Sequence, residues 1–382
     1  LTRDDIVAIT SYLVKLMEGK GQVDNIDHLG NRRVRRVGEL VAATAFRVGL
    51  LRLERTIKER MSLTGAVVDL TPNQLINPKP LIAAVNEFFR VSQLSTIVDQ
   101  TNPLSELDNL RRLTVMGSGG VSRERASFSI RDIHSSQYGR ICPVRTPEGP
   151  NIGLVTYMTL FARVNEFGFL ETPYLKVDNK KVSNEVVYLQ ADDEEQYYIT
   201  DASQPMTKDG KLANDIVPSR YNGDFLEVDS SNIQLIDVSP QQVVGTSASL
   251  IPFIAHDEAN RALMGTHMQC QAVPLIRPTS PVVGTGIEQL IPKVLGRVVI
   301  SDIDGEVIFV DANKIIIKPK ERGAKEKIYH VEKFKKTSQS TCFSQKPLVS
   351  TGDEVKKGQV IIDGPSCEAG ELALGQNLRI AY

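Results

Sequence analysis

The sequence predicts an α+β protein of several domains, and three observations support this class. Its 382 residues exceed the size of one ordinary domain. Apolar residues recur at helical spacing in the first ninety residues, and they alternate with period two after Leu154. Turn-and-strand patterns such as residues 352–360 fill the C-terminal part. We therefore expect a helical N-terminal part, an inserted, mostly-β module and a C-terminal region that resembles a β-barrel or β-sandwich.

Composition indicates a globular protein without a strongly charged overall surface. Hydrophobic residues make up 41% of the chain, charged residues make up 24%, and the formal net charge is −1. Basic stretches are therefore local, which argues against a basic protein that coats nucleic acid. No apolar run is long enough to span a membrane, and no signal peptide is visible. Because the four cysteines lack metal-ligand or CxxC spacing, we expect reduced, buried thiols in the cytoplasm.

Helices are predicted in the N-terminal part. Thr2 and Asp5 form a capping box for a helix over residues 1–20. Its apolar face consists of Ile6, Ile9, Leu13 and Leu16. A second helix is predicted over residues 38–61, and Pro80 begins a third over residues 81–89. The expected buried stripe of the second helix is Leu40, Phe46, Leu50, Leu53 and Ile57.

Strands are predicted after Leu154, over residues 155–165, 169–177, 186–189 and 197–200. The turn between the second and third strands is expected at residues 178–181. The acidic run at residues 192–195 is typical of a solvated hairpin loop. We expect this module to carry no chemistry of its own.

Two later segments carry charge. Residues 256–264 suit a short helix closed by Gly265. Asp257, Glu258 and Arg261 lie on or near one face of it, where the simplest interpretation is weak surface ion pairs. Residues 318–336 carry eight Lys or Arg in nineteen positions, and they form either a solvated loop or a surface that faces nucleic acid.

The central segment, residues 111–145, has an unusual charge pattern. It contains seven arginines and no lysine. Arginine offers planar, forked donors that match phosphate, and the glycines of residues 117–120 let a backbone approach a ligand closely. The pattern favours a polyanion, but a solvated loop tied by pairs to Glu124 and Asp132 is an alternative. The arginines are Arg111, Arg112, Arg123, Arg125, Arg131, Arg140 and Arg145.

Catalytic motifs are missing from the sequence. There is no Walker loop, no G-x-S-x-G elbow, no H-E-x-x-H and no D-x-D-x-D cluster for two magnesium ions. His28 has no second metal ligand at helical spacing, so we expect a hydrogen-bonding turn histidine. The polar stretch at residues 92–103 either lines a ligand groove or is an ordinary helix-to-loop transition. The chain would assist nucleotidyl transfer rather than perform it alone.

Several motifs resemble the fork and rifamycin region of the bacterial RNA polymerase β subunit, in order and with consistent spacing. They are SQLS (92–95), DQ (99–100), NPLSE (102–106), RR (111–112), RERA (123–126), RD (131–132), YGR (138–140) and TPEGPNIGL (146–154). The resemblance covers essentially the whole chain, since it extends to DHLGNRR (27–33), FGFLETPY (167–174), ANRALMG (259–265) and GELALGQN (370–377).

The resemblance implies four domains. Residues 1–70 would end the lobe and protrusion region, and residues 72–155 would form the fork domain with the rifamycin region and the fork loop. Residues 156–240 would be an external β module. Residues 241–382 would begin the hybrid-binding region with its barrel-like part. The chain is expected to be a piece of a longer, cytoplasmic bacterial subunit that is not active alone.

The resemblance also implies roles for individual residues. Arg125 and Arg131 would lie at the downstream DNA edge, and Asp27 with Arg32 would receive a non-template base. Arg261 would lie near the phosphates of the incoming nucleotide. The residues near the RNA 3′ region of the hybrid would be Gln93, Glu148 and Asn151. Each role fits the chemistry, because arginine neutralises phosphate and amides read base edges.

The pocket that binds rifamycins in this family departs from the usual pattern here. The family usually has Gln, Phe, His, Ser and Leu where this chain has Thr96, Ile97, Asn109, Thr114 and Met116, and Arg where it has Cys270. The positions that match are Ser95, Asp99, Arg112, Pro147 and Asn151. Because Asn109 lacks an imidazole and Thr114 adds a methyl, we expect resistance to rifamycins, at about 1–2 kcal/mol for each change.

The partners implied are the β′, α and sigma subunits, template and non-template DNA, nascent RNA and ribonucleoside triphosphates, with no membrane. No cofactor is expected on this chain, because the family's magnesium-binding aspartates belong to the β′ subunit. The alternative is a stand-alone nucleic-acid-binding or scaffold protein without turnover. A self-sufficient nucleotidyltransferase is disfavoured because carboxylates for the metal are missing.

Overall fold

The structure is a computed structural model, and it describes residues 2–21, 23–63, 71–320 and 325–381. It mixes helices with several separate sheets, as expected for the α+β class. The α-helices are α1 (Arg3–Met17), α2 (Val37–Leu40), α3 (Arg47–Leu63), α4 (Pro72–Leu75), α5 (Lys79–Val91), α6 (Pro103–Leu110), α7 (Ala191–Glu194), α8 (Ala259–Cys270) and α9 (Leu290–Val294). No helix in the described ranges is both long and apolar enough to cross a membrane.

The predicted capping box begins α1. The Thr2 hydroxyl accepts the Asp5 N–H at 3.3 Å, and the Asp5 carboxylate accepts the Thr2 N–H at 2.7 Å. These bonds satisfy amide groups that the first helical turn leaves without partners. Three residues of the predicted apolar face, Ile6, Ile9 and Leu13, are exposed, and Leu16 is half-buried.

The predicted second helix is present, but its predicted buried stripe is confirmed only in part, since Leu40, Leu53 and Ile57 are half-buried. A π-helical segment, Val41–Phe46, joins α2 to α3. Because a π-helix places more residues in each turn, it shifts the faces of the helix that follows. Phe46 and Leu50 are exposed, and Ala45 and Gly49 are buried instead. A Cβ on Gly49 would lie 2.8 Å from Leu81 of α5, so the glycine allows the close approach of these helices.

The predicted third helix is α5, which extends beyond the expected bounds at both ends and has Pro80 in its first turn. Helix α8 also differs from its prediction, because it continues through Gly265 to Cys270. Glycine inside a helix is tolerated at a cost of about 1 kcal/mol relative to alanine. A glycine therefore marks a helix end only where its backbone adopts the left-handed conformation. Gly265 does not adopt it.

The inserted module is a sheet of order β3-β4-β9-β6-β7-β8, with β5 also paired to β4. All its pairs are antiparallel except β6–β9. Strands were not predicted for β7, β8 and β9, although Asn222-Gly223 between β7 and β8 is a strong hairpin signal. The strands are β3 (Arg163–Val164), β4 (Leu170–Asp178), β5 (Lys181–Leu189), β6 (Ile199–Thr200), β7 (Ile216–Tyr221), β8 (Asp224–Asp229) and β9 (Leu235–Asp237).

The acidic run at residues 192–195 was predicted to be a solvated hairpin loop, and this prediction is wrong. Most of it belongs to α7, and three of its carboxylates contact basic side chains or a histidine. Glu195 lies 2.9 Å from Nε2 of His28, and Asp192 lies 3.2 Å from Nδ1 of the same ring. His28 is thus the hydrogen-bonding histidine that was expected, with carboxylates as partners. Those partners are more than 160 residues away in the chain, so a local pattern does not reveal them.

Arg140 is fully buried. It lies at the junction between the loop that precedes it, helix α7 and strands β4 and β5. Its guanidinium contacts the Glu194 carboxylate at 2.5 Å. It also donates to four backbone carbonyl groups, which connect the loop before it with strands β4 and β5. These carbonyls belong to Ser136, Tyr138, Leu170 and Leu189. A buried charge is stable only when paired and hydrogen-bonded in this way.

A second buried ion pair lies in the same junction. Arg220 Nη2 contacts Asp237 at 2.9 Å, and the Tyr138 hydroxyl donates to the other oxygen of that carboxylate at 2.7 Å. The guanidinium carbon of Arg220 lies 3.3 Å from the centre of the Tyr138 ring. Burial raises the pKa of Asp237 to about 6, and the Arg220 charge opposes that rise.

The C-terminal strands form open sheets that pack as a sandwich, and no closed barrel is found among the described residues. One sheet has the order β13-β12-β11-β17 and another has the order β10-β18-β16. Their shared core includes Val307, Ile315 and Ile317 from the first and Ile361 and Ile362 from the second. The strands are β10 (Val299–Ile300), β11 (Gly305–Val310), β12 (Lys314–Pro319), β13 (Lys327–His330), β16 (Lys346–Pro347), β17 (Glu354–Val355) and β18 (Val360–Asp363).

Three small two-stranded sheets complete the fold. The first, β1-β2, closes the segment between residues 112 and 157, and the second, β14-β15, forms a hairpin. Their strands are β1 (Arg112–Thr114), β2 (Val155–Tyr157), β14 (Lys335–Lys336), β15 (Cys342–Phe343), β19 (Cys367–Glu368) and β20 (Glu371–Leu372). The cysteines are free, as expected, but Cys342 is exposed rather than buried.

Replacing Arg140 with methionine should destabilise the junction, because Glu194 would stay buried without its cationic partner. We expect the free energy of unfolding to fall by about 3–5 kcal/mol, measured by urea denaturation of the chain. Adding Glu194→Leu should recover part of the loss. The exposed pair Lys320–Glu354 gives a control, since Lys320→Met should keep the wild-type midpoint. A wild-type midpoint for Arg140→Met would contradict this account.

Candidate functional site

Three of the seven central arginines are used inside the protein. Arg140 forms the junction described above. Arg111 donates to the carbonyl groups of Thr159, Leu160 and Ala162. Arg145 pairs with the buried Asp108, with 2.9 Å between Nε and the carboxylate oxygen. For these three, contact with a polyanion is disfavoured, because most of their guanidinium donors already have protein partners.

Arg131 organises the loops around it. Its Nη1 donates to the carbonyl groups of Pro150 at 2.9 Å and Ile152 at 2.8 Å. The side chains of Arg123 and Arg125 are exposed and have no hydrogen bond or ion pair with any described residue. The alternative of a loop tied by Arg–Glu pairs is therefore not found here. The guanidinium groups of Arg123 and Arg125 therefore remain available at the edge of the loop.

The glycine loop, residues 117–120, is a closed turn. Gly117 and Gly119 have φ angles of +112° and +75°, which side chains disfavour, and the Gly120 N–H donates to the Gly117 carbonyl at 3.0 Å. Arg35 Nη2 donates to the Ser118 carbonyl at 2.7 Å. The arginine-rich N-terminal segment thus holds the loop in place.

Half of the predicted rifamycin-pocket residues line one cleft of about 170 Å³. They are Thr96, Asn109, Arg112, Thr114 and Met116, and Gln93 lies with them. Four residues of this cleft also line a larger one of about 450 Å³, whose wall includes Arg32. Neither Arg32 nor Arg112 has a side-chain partner among the residues that the structure describes. Two free guanidinium groups and two amides therefore face adjoining open space.

The other predicted pocket residues do not line that cleft. The Ser95 hydroxyl donates to the Phe89 carbonyl at 2.7 Å, and Asp99 accepts from Thr101. Ile97 is 79% exposed. Pro147 lies in the prolyl loop, residues 143–150, and Asn151 follows it directly. The side-chain oxygen of Asn151 is buried without a partner among the described residues.

The remaining predicted contact residues are dispersed. Asp27 is half-buried, and its backbone N–H donates to Asn25 at 2.9 Å. Glu148 is exposed and lies 3.8 Å from the His267 ring of α8. Arg261 is exposed in the first turn of α8, where its backbone N–H donates to the Glu258 carboxylate at 3.0 Å. This cap replaces the expected ion pairs of Arg261. Among the described residues, its guanidinium has one hydrogen-bond contact, with the Met264 sulfur at 3.8 Å.

Sequence reasoning missed the buried cluster that connects α6, the prolyl loop and α8. Asp108 of α6 accepts from Arg145 and, at 3.3 Å, from Ser247. Cys270 Sγ lies 3.7 Å from the same carboxylate. Burial raises the pKa of Asp108, although Arg145 opposes the rise, and burial raises the pKa of Cys270 to about 12. The thiol therefore stays protonated at neutral pH.

Sequence reasoning also missed a contact between residues 98–101 and the loop of the β14–β15 hairpin. The Gln339 side-chain amide accepts the Gln100 N–H at 2.6 Å and donates to the Val98 carbonyl at 3.2 Å. The Ser338 hydroxyl donates to the same carbonyl at 3.0 Å. The side chains of Gln339 and Ser338 thus take the place of a neighbouring strand along this extended segment.

The basic segment, residues 318–336, is partly neutralised. Lys320 pairs with Glu354, Lys327 with Asp302 and Lys335 with Glu332. Within the described ranges, no three His, Cys, Asp or Glu side chains come together as a metal-binding group.

Four domain models match the chain in order. They are "RNA polymerase Rpb2, domain 2" over residues 1–35, "RNA polymerase Rpb2, domain 3" over 96–164, "RNA polymerase beta subunit external 1 domain" over 174–239 and "RNA polymerase Rpb2, domain 6" over 300–382. Each describes a domain of the same kind of subunit, and together they reach from the beginning of the chain to its end.

Curated relatives agree with these models along the whole chain. The chain is 51% identical over 383 residues to the DNA-directed RNA polymerase subunit beta of Sorangium cellulosum (strain So ce56), covering 100% of the chain and 28% of that protein. It is 52% identical over 384 residues to the same subunit of Caldicellulosiruptor saccharolyticus, covering 100% of the chain and 31% of that protein. The chain thus spans under a third of these relatives. It belongs to the RNA polymerase β-subunit family and matches an internal part of that subunit.

Proposed function

We propose that this chain is the part of a DNA-directed RNA polymerase β subunit that contacts downstream DNA, the RNA–DNA hybrid and the incoming ribonucleotide. The observation that carries the proposal is the pair of adjoining clefts, where the free guanidinium groups of Arg32 and Arg112 lie near the amides of Gln93 and Asn109. Forked donors bind phosphate bidentately, and amides read base edges. The buried ion pairs of Arg140 and Arg145 support a division between arginines that hold the fold and arginines that bind ligands.

The exposed arginines are assigned to phosphates. Arg125 at the loop edge would contact downstream DNA, and Arg131 would shape the loop that presents it. Arg261 would contact the phosphates of the incoming nucleotide, and Asp27 with Arg32 would receive a non-template base. The residues proposed to lie near the RNA 3′ region are Gln93, Glu148 and Asn151.

The chain would act within an assembly that includes β′, α and sigma subunits. Magnesium ions held by β′ aspartates would supply the metal chemistry of nucleotidyl transfer. The side chains of this chain would bind and orient nucleic acid and nucleotide. Their contribution to the rate would therefore come from positioning and from neutralising charge.

We further propose that the cleft with Asn109 and Thr114 binds rifamycins poorly. An amide at position 109 replaces the family's imidazole, and Thr114, which carries a methyl that the family's serine lacks, lines a cleft of about 170 Å³. Both changes reduce hydrogen bonding or fit.

Asn109→His and Thr114→Ser should each increase rifamycin sensitivity of the assembled polymerase. At about 1–2 kcal/mol for each change, the inhibitory concentration should fall by about 5- to 30-fold per substitution. The measurement is transcription inhibition by a rifamycin titration. Asn184→His, on the exposed strand β5, is the matched control and should change nothing. Strong inhibition of the wild-type enzyme, or full resistance of the double variant, would refute the assignment.

Arg125→Ala should weaken retention of downstream DNA by the assembled polymerase. Loss of one phosphate contact should lower the slope of log affinity against log salt by about 1. Binding of a downstream-fork DNA measured at several salt concentrations tests this. The control is Lys208→Ala in the β module, which should keep the wild-type slope. Equal slopes for wild type and Arg125→Ala would remove Arg125 from the interface.

A further inference from the structure

Asn102 caps two helices at once. Its side-chain oxygen accepts the Ser105 N–H at 2.8 Å and begins α6. Its side-chain nitrogen donates to three carbonyl groups at the end of α8, with the shortest distance, 2.8 Å, to Ala272. The other two carbonyls belong to Gln269 and Cys270. Asn102 is only 3% exposed, so water cannot replace these bonds easily.

The chemistry of this position requires an amide of this length. The start of a helix has N–H groups that need an acceptor, and the end of a helix has carbonyl groups that need donors. Asparagine supplies both from one short side chain. Aspartate would keep the acceptor but place a negative charge against three carbonyl oxygens. Serine would keep the cap of α6 but would not reach the end of α8.

Helix α8 has a second contact with α6 near its middle. Arg145, which is paired to Asp108 of α6, lies 3.5 Å from the Thr266 hydroxyl. Arg261 lies five residues before Thr266, which is about 7.5 Å along the helix, and Cys270 lies about 6 Å beyond it. Cys270 at the end of α8 also contacts Asp108 and Arg145, but through sulfur, which is a weak hydrogen-bonding partner. If the contact at Asn102 is lost, these sulfur contacts hold the end of α8 less firmly, and we expect α8 to tilt about Thr266. A shift of one end then moves the other end by a similar distance.

We propose that Asn102 is a positioning residue for Arg261, acting through the orientation of α8. This inference rests on the proposed role of Arg261 at the phosphates of the incoming nucleotide. The same residue begins α6, which carries Asn109 of the cleft. One buried amide therefore sets the position of the cleft wall relative to the arginine of α8.

The test uses the assembled polymerase carrying Asn102→Ser, with single-nucleotide incorporation measured over a range of nucleotide concentrations. Misplacement by about 1 Å can cost a large factor, so we expect KM for the nucleotide to rise about 10-fold with kcat nearly unchanged. Asn102→Asp should have the larger effect. Ser105→Ala is the matched control, because it removes the two bonds of the Ser105 hydroxyl with the Asn102 backbone, keeps the bonds of the Asn102 side chain and should leave KM unchanged.

A double variant separates positioning from general loss of structure. In an Arg261→Ala background, Asn102→Ser should raise KM no further, because the residue that it positions is absent. Hydrogen exchange of the assembled enzyme should accelerate at the end of α8 but not in α6. Unchanged exchange at α8 in Asn102→Ser would overturn the proposal, as would a full additional rise in KM in the Arg261→Ala background.

The two proposals fail differently. If Arg261→Ala raises KM and Asn102→Ser does not, the positioning role is wrong and the role of Arg261 stands. If Arg261→Ala leaves KM unchanged, the nucleotide contact itself is wrong, and the positioning role is overturned with it.

Discussion

The guanidinium of Arg140 is the contact on which the arrangement of the central part depends. It lies without solvent exposure between the loop that precedes it and strands β4 and β5, and it is neutralised by Glu194. Taking a charge out of water is costly, so the carbonyl and carboxylate groups around it must stay in place. The same groups therefore fix the module against the segment that leads to the prolyl loop.

This rigidity explains how one residue type serves two purposes. Arg140, Arg145 and Arg111 are stabilised by protein groups and define the framework. Arg112 and Arg125 extend from that framework without partners among the described residues. An arginine that already pairs with a carboxylate has little left to offer a phosphate. Under the proposed function, the guanidinium groups that contact phosphate are therefore those that the fold leaves unpaired.

Local features were predictable from the sequence, and distant pairings were not. The Thr2–Asp5 cap, the early strands of the module and the mixed fold class follow from short-range patterns. The residues at 192–195 looked solvated because their partners lie far away in the chain. The π-helical segment moved the buried stripe, since periodicity counting assumes a regular helix.

The candidate site was recoverable only in part for the same reason. Residues that the resemblance assigns to one pocket converge on one cleft, as Asn109, Arg112 and Thr114 do. The buried supports behind that cleft, Asp108 with Arg145 and Asn102 with the end of α8, have no recognisable spacing. They are specified by packing, which a single sequence does not display.

The contact of Gln339 with residues 98–101 has a consequence for the order in which the chain acquires its structure. The hydrogen-bonded partners are separated by 239 to 241 positions. During synthesis on a ribosome, the segment at 98–101 must wait until residue 341 has been made before its edge is covered. Closing so long a loop is entropically costly and belongs to slow, non-local folding. Until then its unpaired backbone edge is open to other chains or to chaperones.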